Sequence, residues 1–320
     1  MKVYKKSIFL FLIYLTSLIV SCSSPLKQLR EFHYSQDNRK KIFILSSENF
    51  TSFQMVKQTL QHELSSNYEI LFLNLEGNYE EPEEIAGEIK NLHPDLIICI
   101  GSHALETLIG KIKETPILFS MILDHKQFNI SKYTNITGVS LDIQPESIFY
   151  NYKSAIGEVT KVGVIVSQNY YYKALLIQKK LAQMNIQLLI YKSSANKVLE
   201  SYQAIKDKID VLWMLPDPSV INDNNFLYLA EKTIEDKLPF IVYSENFVKA
   251  GGLFSISPNY STVGSQLAIM VQKVLEDSLS PKDIPISPII GTYLTVNRTV
   301  LRKVGLKINE ALIDKSIESN

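Results

Sequence analysis

The side chains able to do chemistry in this chain fall in short polar clusters, each following an apolar run. Ser46, Ser47, Glu48 and Asn49 follow "KIFIL", Gly101, Ser102 and His103 follow "DLIICI", and Asp124 comes soon after "PILFSMI". Farther along, Ser167, Gln168, Asn169 and Tyr170 follow "KVGVIV", Pro216, Asp217 and Pro218 follow "DVLWML", and Ser244, Glu245 and Asn246 follow "PFIVY". Hydroxyl, amide and carboxylate groups in this pattern suit hydrogen bonding to a small polar ligand. They do not pair a nucleophile with a base: the sequence has no GxSxG, no P-loop and no GxGxxG. His33, His62, His93, His103 and His125 lack metal-ligand spacing, and no cysteine supports them, so neither a metal nor a cofactor is expected.

Three of these clusters leave a choice open. In "GSHA", Gly101 allows close backbone approach and Ser102 either binds a ligand or only caps the helix that follows. Asp217, held between two prolines, either receives a ligand ammonium or closes an Asx turn. In the run Tyr170, Tyr171 and Tyr172, one or two rings either stack on a ligand or pack in the core. Trp213 and Cys99 lie inside apolar runs and read as core. Ser47, Ser102, His103, Asp124, Asn169, Tyr170, Asp217, Ser244 and Glu245 form the candidate ligand-binding set, with no catalytic residue among them.

The elements that position these clusters follow from hydrophobic period. Apolar runs at 41–45, 68–74, 95–101 and 116–122 read as strands. Between them lie helical segments with Phe53, Val56, Leu60 and Leu64, then Ile85, Ile89 and Leu92, each on one face. The order returns farther on: Ile42, Ile70, Leu96 and Ile117 stand at a nearly constant offset from Val162, Ile186, Val211 and Phe240. Near-continuous apolar strands alternating with amphipathic helices require parallel sheets covered on both faces. The expected fold is α/β, with two Rossmann-like lobes joined by a hinge. The first spans 41–140 and is completed by about 258–280; the second spans 141–257 and is completed by about 282–316. A late helix with Val263, Leu267, Met270 and Val274 aligned would return to the first lobe. The hinge would then be two or three segments near Gly138, Ser257 and Pro281, making a clamshell. Ligands bind outside the carboxyl ends of such strands, where every cluster above falls.

Equal numbers of basic and acidic side chains, 33 each, remove the electrostatic footprint of nucleic-acid binding. The N-terminus reads as an export signal. Lys2, Lys5 and Lys6 precede an apolar run from Ile8 to Val20, which is shorter than the roughly twenty residues a spanning helix needs. Ile19-Val20-Ser21-Cys22 resembles a lipobox, where signal peptidase cuts before a cysteine that becomes acylated. Residues 1–21 are then a signal peptide and Cys22 carries the lipid (palmitate). Residues 22–40, without sustained periodicity, form a tether to a bacterial membrane, facing the periplasm or exterior.

Several segments together resemble the ABC-transporter substrate-binding family of the tryptophan- and tyrosine-associated type, a branch with the type I periplasmic-binding fold. They are "NITGVSLDI" at 135–143, "DVLWMLPDPSVI" at 210–221, the stretch from Leu238 to Ile286 containing "SENFVKAGGLFSIS", and "LTVNRTVLRKVGLKI" at 294–308. By this resemblance Ser102, Asp124, Asp217, Ser244 and Glu245 map to cleft loops, while His103 and His125 depart from the family pattern.

The resemblance implies a monomeric, membrane-tethered solute receptor that is not an enzyme. It would close on a small organic ligand such as an amino acid and deliver it to an ABC permease. The competing readings are a ligand-sensing accessory lipoprotein of the same fold and a two-lobed enzyme such as an epimerase or glycosyl transferase.

Overall fold

In a computed structural model of the chain, residues 24–35, 37–78 and 81–318 are described. The signal segment and Cys22 lie outside them. The chain divides into two compact units. Unit 1 holds the described residues up to Gly138 together with Leu267–Ile286; unit 2 holds Val139–Gln266 and the described residues from Ser287 onward.

Unit 1 is built on parallel strands in the order β5-β4-β3-β1-β2. They are β1 Lys40–Ser46, β2 Tyr68–Asn74, β3 Leu96–Ile100, β4 Ile117–Ser120 and β5 Ile136–Ser140. Ile42, Phe43, Ile44 and Leu45 are all fully buried, as a strand covered on both faces requires. Helix α2, Thr51–Leu64, buries Val56, Leu60 and Leu64, and α3, Pro82–Asn91, buries Ile85, Ala86 and Ile89. Helix α4, Ser102–Leu108, follows β3 directly. Cys99 is fully buried in β3, where desolvation pushes its thiol well above the ordinary range.

One expectation for this unit is corrected. The 22–40 segment is not an extended tether over its described part: Pro25–Arg30 form helix α1, with Leu26 and Leu29 buried among Leu73, Leu75, Ile85 and Ile89. Two apolar residues one turn apart are too short a pattern to register as periodicity. Phe53, on the same face of α2 as Val56, Leu60 and Leu64, sits in a cavity wall, edge-on to Phe50 at 5.7 Å.

Unit 2 repeats the plan, with seven strands in the order β13-β12-β10-β9-β8-β6-β7. These are β6 Lys161–Val166, β7 Gln187–Lys192, β8 Val211–Trp213, β9 Phe240–Val242, β10 Phe254–Pro258, β12 Thr292–Asn297 and β13 Lys315–Ile317. All neighbours are parallel except β10 and β12, which pair antiparallel. Helix α6, Gln168–Ala182, buries Ala174, Ile177 and Leu181. Trp213 is core, edge-on to Phe149 at 5.2 Å.

The chain passes between units after Gly138, Gln266 and Ile286. Strand β5 spans the first passage: Ile136, Thr137 and Gly138 pair with β4, while Val139 and Ser140 pair with the short strand β11, Ser287–Pro288. A side chain on Gly138 would stand 2.1 Å from the Phe119 carbonyl oxygen, so only glycine fits. The second passage lies inside the helix Tyr260–Leu275 rather than near Ser257, which is a paired residue of β10. The third follows Ile286 rather than Pro281. Among the described residues no helix is long and apolar enough to cross a membrane.

Candidate functional site

Unit 1 carries a cavity of about 370 Å³ at the carboxyl ends of β1, β3 and β4. The strand ladder runs on into the loops that line it: Ser47 N–H donates to Ile100 O at 2.9 Å, and Gly101 N–H to Ser120 O at 2.8 Å. Four expected residues, Ser47, Ser102, His103 and Asp124, line this cavity together with Glu48, Phe53, Met121, Leu123 and Gln127.

Ser102 does not cap its helix. The N-cap is Gly101, at φ +99°, and the serine that performs the capping comes from another loop: Ser47 Oγ accepts from Ala104 N–H at 2.9 Å. The Ser102 hydroxyl is thereby left at the first helical position, on the cavity. His103 is buried, with Nε2 2.6 Å from Asn78 O. A carbonyl only accepts, so Nε2 carries the proton and Nδ1 lies 4.0 Å from Glu106 Oε2. Asp124 precedes a short 3-10 turn, His125–Phe128, and His125 stacks on Phe119 at 5.8 Å rather than lining the cavity.

In unit 2 the expected residues divide between loop builders and exposed groups. Ser167 caps α6, accepting from Tyr170 N–H at 3.2 Å, and Asn169 is exposed on the first turn. Tyr170 is half-buried, packs on the core and has Lys173 Nζ 5.1 Å from its ring centroid. Burial holds the phenol of Tyr243 above its ordinary range, and the nearby Tyr170 adds to that. Tyr172 is exposed.

Two carboxylates expected to face a ligand are otherwise engaged. Asp217 is 2% exposed, and its two oxygens accept from Ser167 N–H at 2.7 Å and Ser219 N–H at 3.1 Å. It closes the Asx turn and fixes the loop before α6, so it presents no open carboxylate to a ligand. Glu245, at the first turn of α9, Glu245–Lys249, bonds Lys249 Nζ at 2.7 Å and Lys315 Nζ at 2.8 Å. The hydrogen bond to Lys249, then that to Lys315, holds its carboxyl below the usual range. Ser244 is the N-cap of α9, and its side chain makes no capping bond.

The cavity lining that position alone did not give is apolar: Phe53, Met121 and Leu123. Leu123 is 63% exposed, a large side chain left in water beside a polar cleft.

Comparison with known proteins agrees with this architecture. The family model for ABC transporter substrate binding proteins matches residues 50–319. An uncharacterized protein of Rickettsia prowazekii (strain Madrid E) is 22% identical over 308 residues, 95% of this chain and 93% of that one. The fold is similar to the ligand-free, open structure of a substrate-binding protein with adhesive properties from Clostridium difficile. That likeness has a TM-score of 0.78 at 20% identity and covers 88% of this chain and all of the other. It is also similar to an ABC domain from Streptococcus pneumonia in complex with L-Trp, with a TM-score of 0.62 at 20% identity over 87% of this chain and all of the other. With two parallel-sheet units and a family match across both, this chain belongs to the ABC transporter substrate-binding proteins, on the type I periplasmic-binding fold.

Proposed function

We propose that this chain is an extracytoplasmic solute receptor, anchored through an acylated Cys22, that captures a small amino-bearing organic ligand and passes it to an ABC permease. The observation that carries the reading is the unit 1 cavity, whose size falls in the range of small-molecule sites and whose walls combine both required surfaces. Phe53, Met121 and Leu123 offer apolar contact to a ligand body, while Ser47, Ser102, His103 and Gln127 offer hydrogen bonds. Glu48 and Asp124 are its carboxylates, and among the described residues no lysine or arginine lines it. That charge balance favours an ammonium over a lone carboxylate. The pneumococcal relative in complex with L-Trp supports an amino acid as the ligand class.

Capture would proceed by closure about the three chain passages, the ligand stabilising whichever state gives it more contact. Signal cleavage after Ser21 and acylation of Cys22 would hold the receptor near its permease. The test is a melting-temperature screen of the chain lacking residues 1–22 against amino acids and amines. A ligand at one hundred times its Kd adds about 2.7 kcal/mol of stability, a readily measured rise. No shift across a broad library of small solutes would sink the reading.

A further inference from the structure

Helix α1 lies where the chain leaves the proposed lipid attachment, and it is fastened to unit 1 rather than free. Ser24 Oγ accepts from Lys27 N–H at 3.3 Å, Pro25 opens the helix, and Leu26 and Leu29 are 6% and 1% exposed. Arg30 donates to Glu84 at 3.0 Å and to Glu88 at 3.2 Å, both on α3. Phe32 then packs at 6.4 Å from Phe43 of β1.

Cys22 lies two positions before Ser24, with only Ser23 between them. At about 3.5 Å per residue, these two steps span at most about 7 Å, comparable with the depth of a bilayer's polar layer. A lipid on Cys22 therefore cannot be far from the surface formed by α1 and α3. We infer that α1 is a clasp that seats unit 1 on the lipid bilayer, making its α1–α3 face a membrane-apposed surface and not one carried on a loose tether. Glu83, Glu84 and Glu88 on α3 are balanced by Lys90 and by Lys27 and Arg30 of α1, so headgroup charge does not draw this face down. The acyl chains do, and apposition is independent of anionic lipid. The inference rests on the acylation of Cys22 proposed above. The unit it seats is the one that holds the cavity.

The test uses the acylated full chain in phosphatidylcholine vesicles doped with a headgroup nitroxide lipid, with a fluorophore on Gly87→Cys in α3. An added Cβ there meets nothing within 4 Å, and fully buried Cys99 does not compete for label. Ten Gly-Ser residues inserted between Ser23 and Ser24 add a mean span of about 17 Å while leaving α1 seated. A second variant, Leu26→Ser with Leu29→Ser, unseats α1 instead.

Quenching at least twofold stronger in the parent than in both variants, unchanged by anionic lipid, is the expected result. Equal quenching in all three, with the N-terminal mass showing acylated Cys22, overturns the clasp and leaves the anchor standing. A mass without acyl groups overturns both. The ligand-dependent melting shift, read in the same samples, stands apart from each.

Discussion

Ser47 Oγ caps a helix that is not its own, accepting from Ala104 N–H at 2.9 Å across fifty-seven residues of sequence. The contact joins the loop after β1 to the loop after β3, so Ser47 ties the cavity's two hydroxyl-bearing walls together twice, through Oγ and through its N–H on Ile100 O. Gly101 makes room for it: at φ +99° a side chain there would meet Ser47 Oγ at 2.5 Å and Phe53 Cε2 at 2.8 Å. Ser47→Ala should cost about 1 kcal/mol, the usual loss of a cap, seen as a fall of about 2–4 °C in Tm. Gly101→Ala should cost more, through positive φ and the clash together. The double variant should lose less than the sum, because removing Oγ relieves the closest overlap. Strict additivity in thermal denaturation would refute the coupling.

Asp217 should act on stability before it acts on binding. Asp217→Ala leaves the Ser167 and Ser219 N–H groups, held at 2.7 and 3.1 Å, without their acceptor inside the fold. Loss of the acceptor for the buried Ser167 N–H costs about 1–3 kcal/mol, and for the exposed Ser219 N–H, which water reaches, less. Asp217→Asn keeps one acceptor oxygen and should cost less. Denaturant unfolding of the two variants gives the order. A variant of native stability that has lost ligand affinity would return Asp217 to the role of a ligand-facing carboxylate.

Acid should loosen unit 2 through Asp210. One oxygen of this carboxylate accepts from Thr160 N–H, Thr160 Oγ1 and Lys161 N–H, each at 2.8 Å, tying the start of β6 to the start of β8. Burial pushes the carboxyl upward, but the bonds from Thr160 and Lys161 outweigh it and hold the group below its ordinary value. The folded state thus binds this proton less readily than the unfolded chain. The stabilisation is complete above the unfolded value of about 4 and is lost as pH falls through the lower folded value. Asp210→Asn should flatten the slope of stability against pH below about pH 4 while lowering stability at neutral pH. An unchanged acid slope in that variant would exclude the carboxylate as its source.

Hydrophobic period revealed the central strands most clearly because they are buried on both faces: β3, from Leu96 to Ile100, has no exposed residue and reads as an apolar run. It revealed the cavity's polar side for the same topological reason, since strand ends locate Ser47, Ser102, His103 and Asp124 without any knowledge of packing. Where long-range partners decide a residue's role, period and position fail. Glu245 looks like a ligand carboxylate until Lys315, seventy residues onward, is brought to 2.8 Å. Asp217 looks open until the Ser167 amide reaches it from another loop. The one antiparallel pair among the described residues, β10 with β12, follows a connection through unit 1 and carries no local mark.

The charge of the cavity makes the sharpest demand on the ligand. Asp124→Asn and Glu48→Gln each remove a negative group from a lining that holds no lysine or arginine among the described residues. A hydrogen bond to a charged group contributes about 1.5–3 kcal/mol, so loss of a direct partner to an ammonium weakens binding about 10- to 150-fold. A merely nearby carboxylate would give a smaller loss that salt abolishes. Both side chains are half-buried, so the Tm of each ligand-free variant is read alongside its affinity, and a binding loss larger than any fall in stability is the expected result. Calorimetric titration with an amine, its N-acetyl derivative and its carboxylate-free analogue separates the possibilities. Acetylation should abolish binding to the parent, and removal of the carboxylate should not. The opposite order would mean that the cavity reads a carboxylate through Ser102 and His103, and the assignment of an amino-bearing ligand would fall.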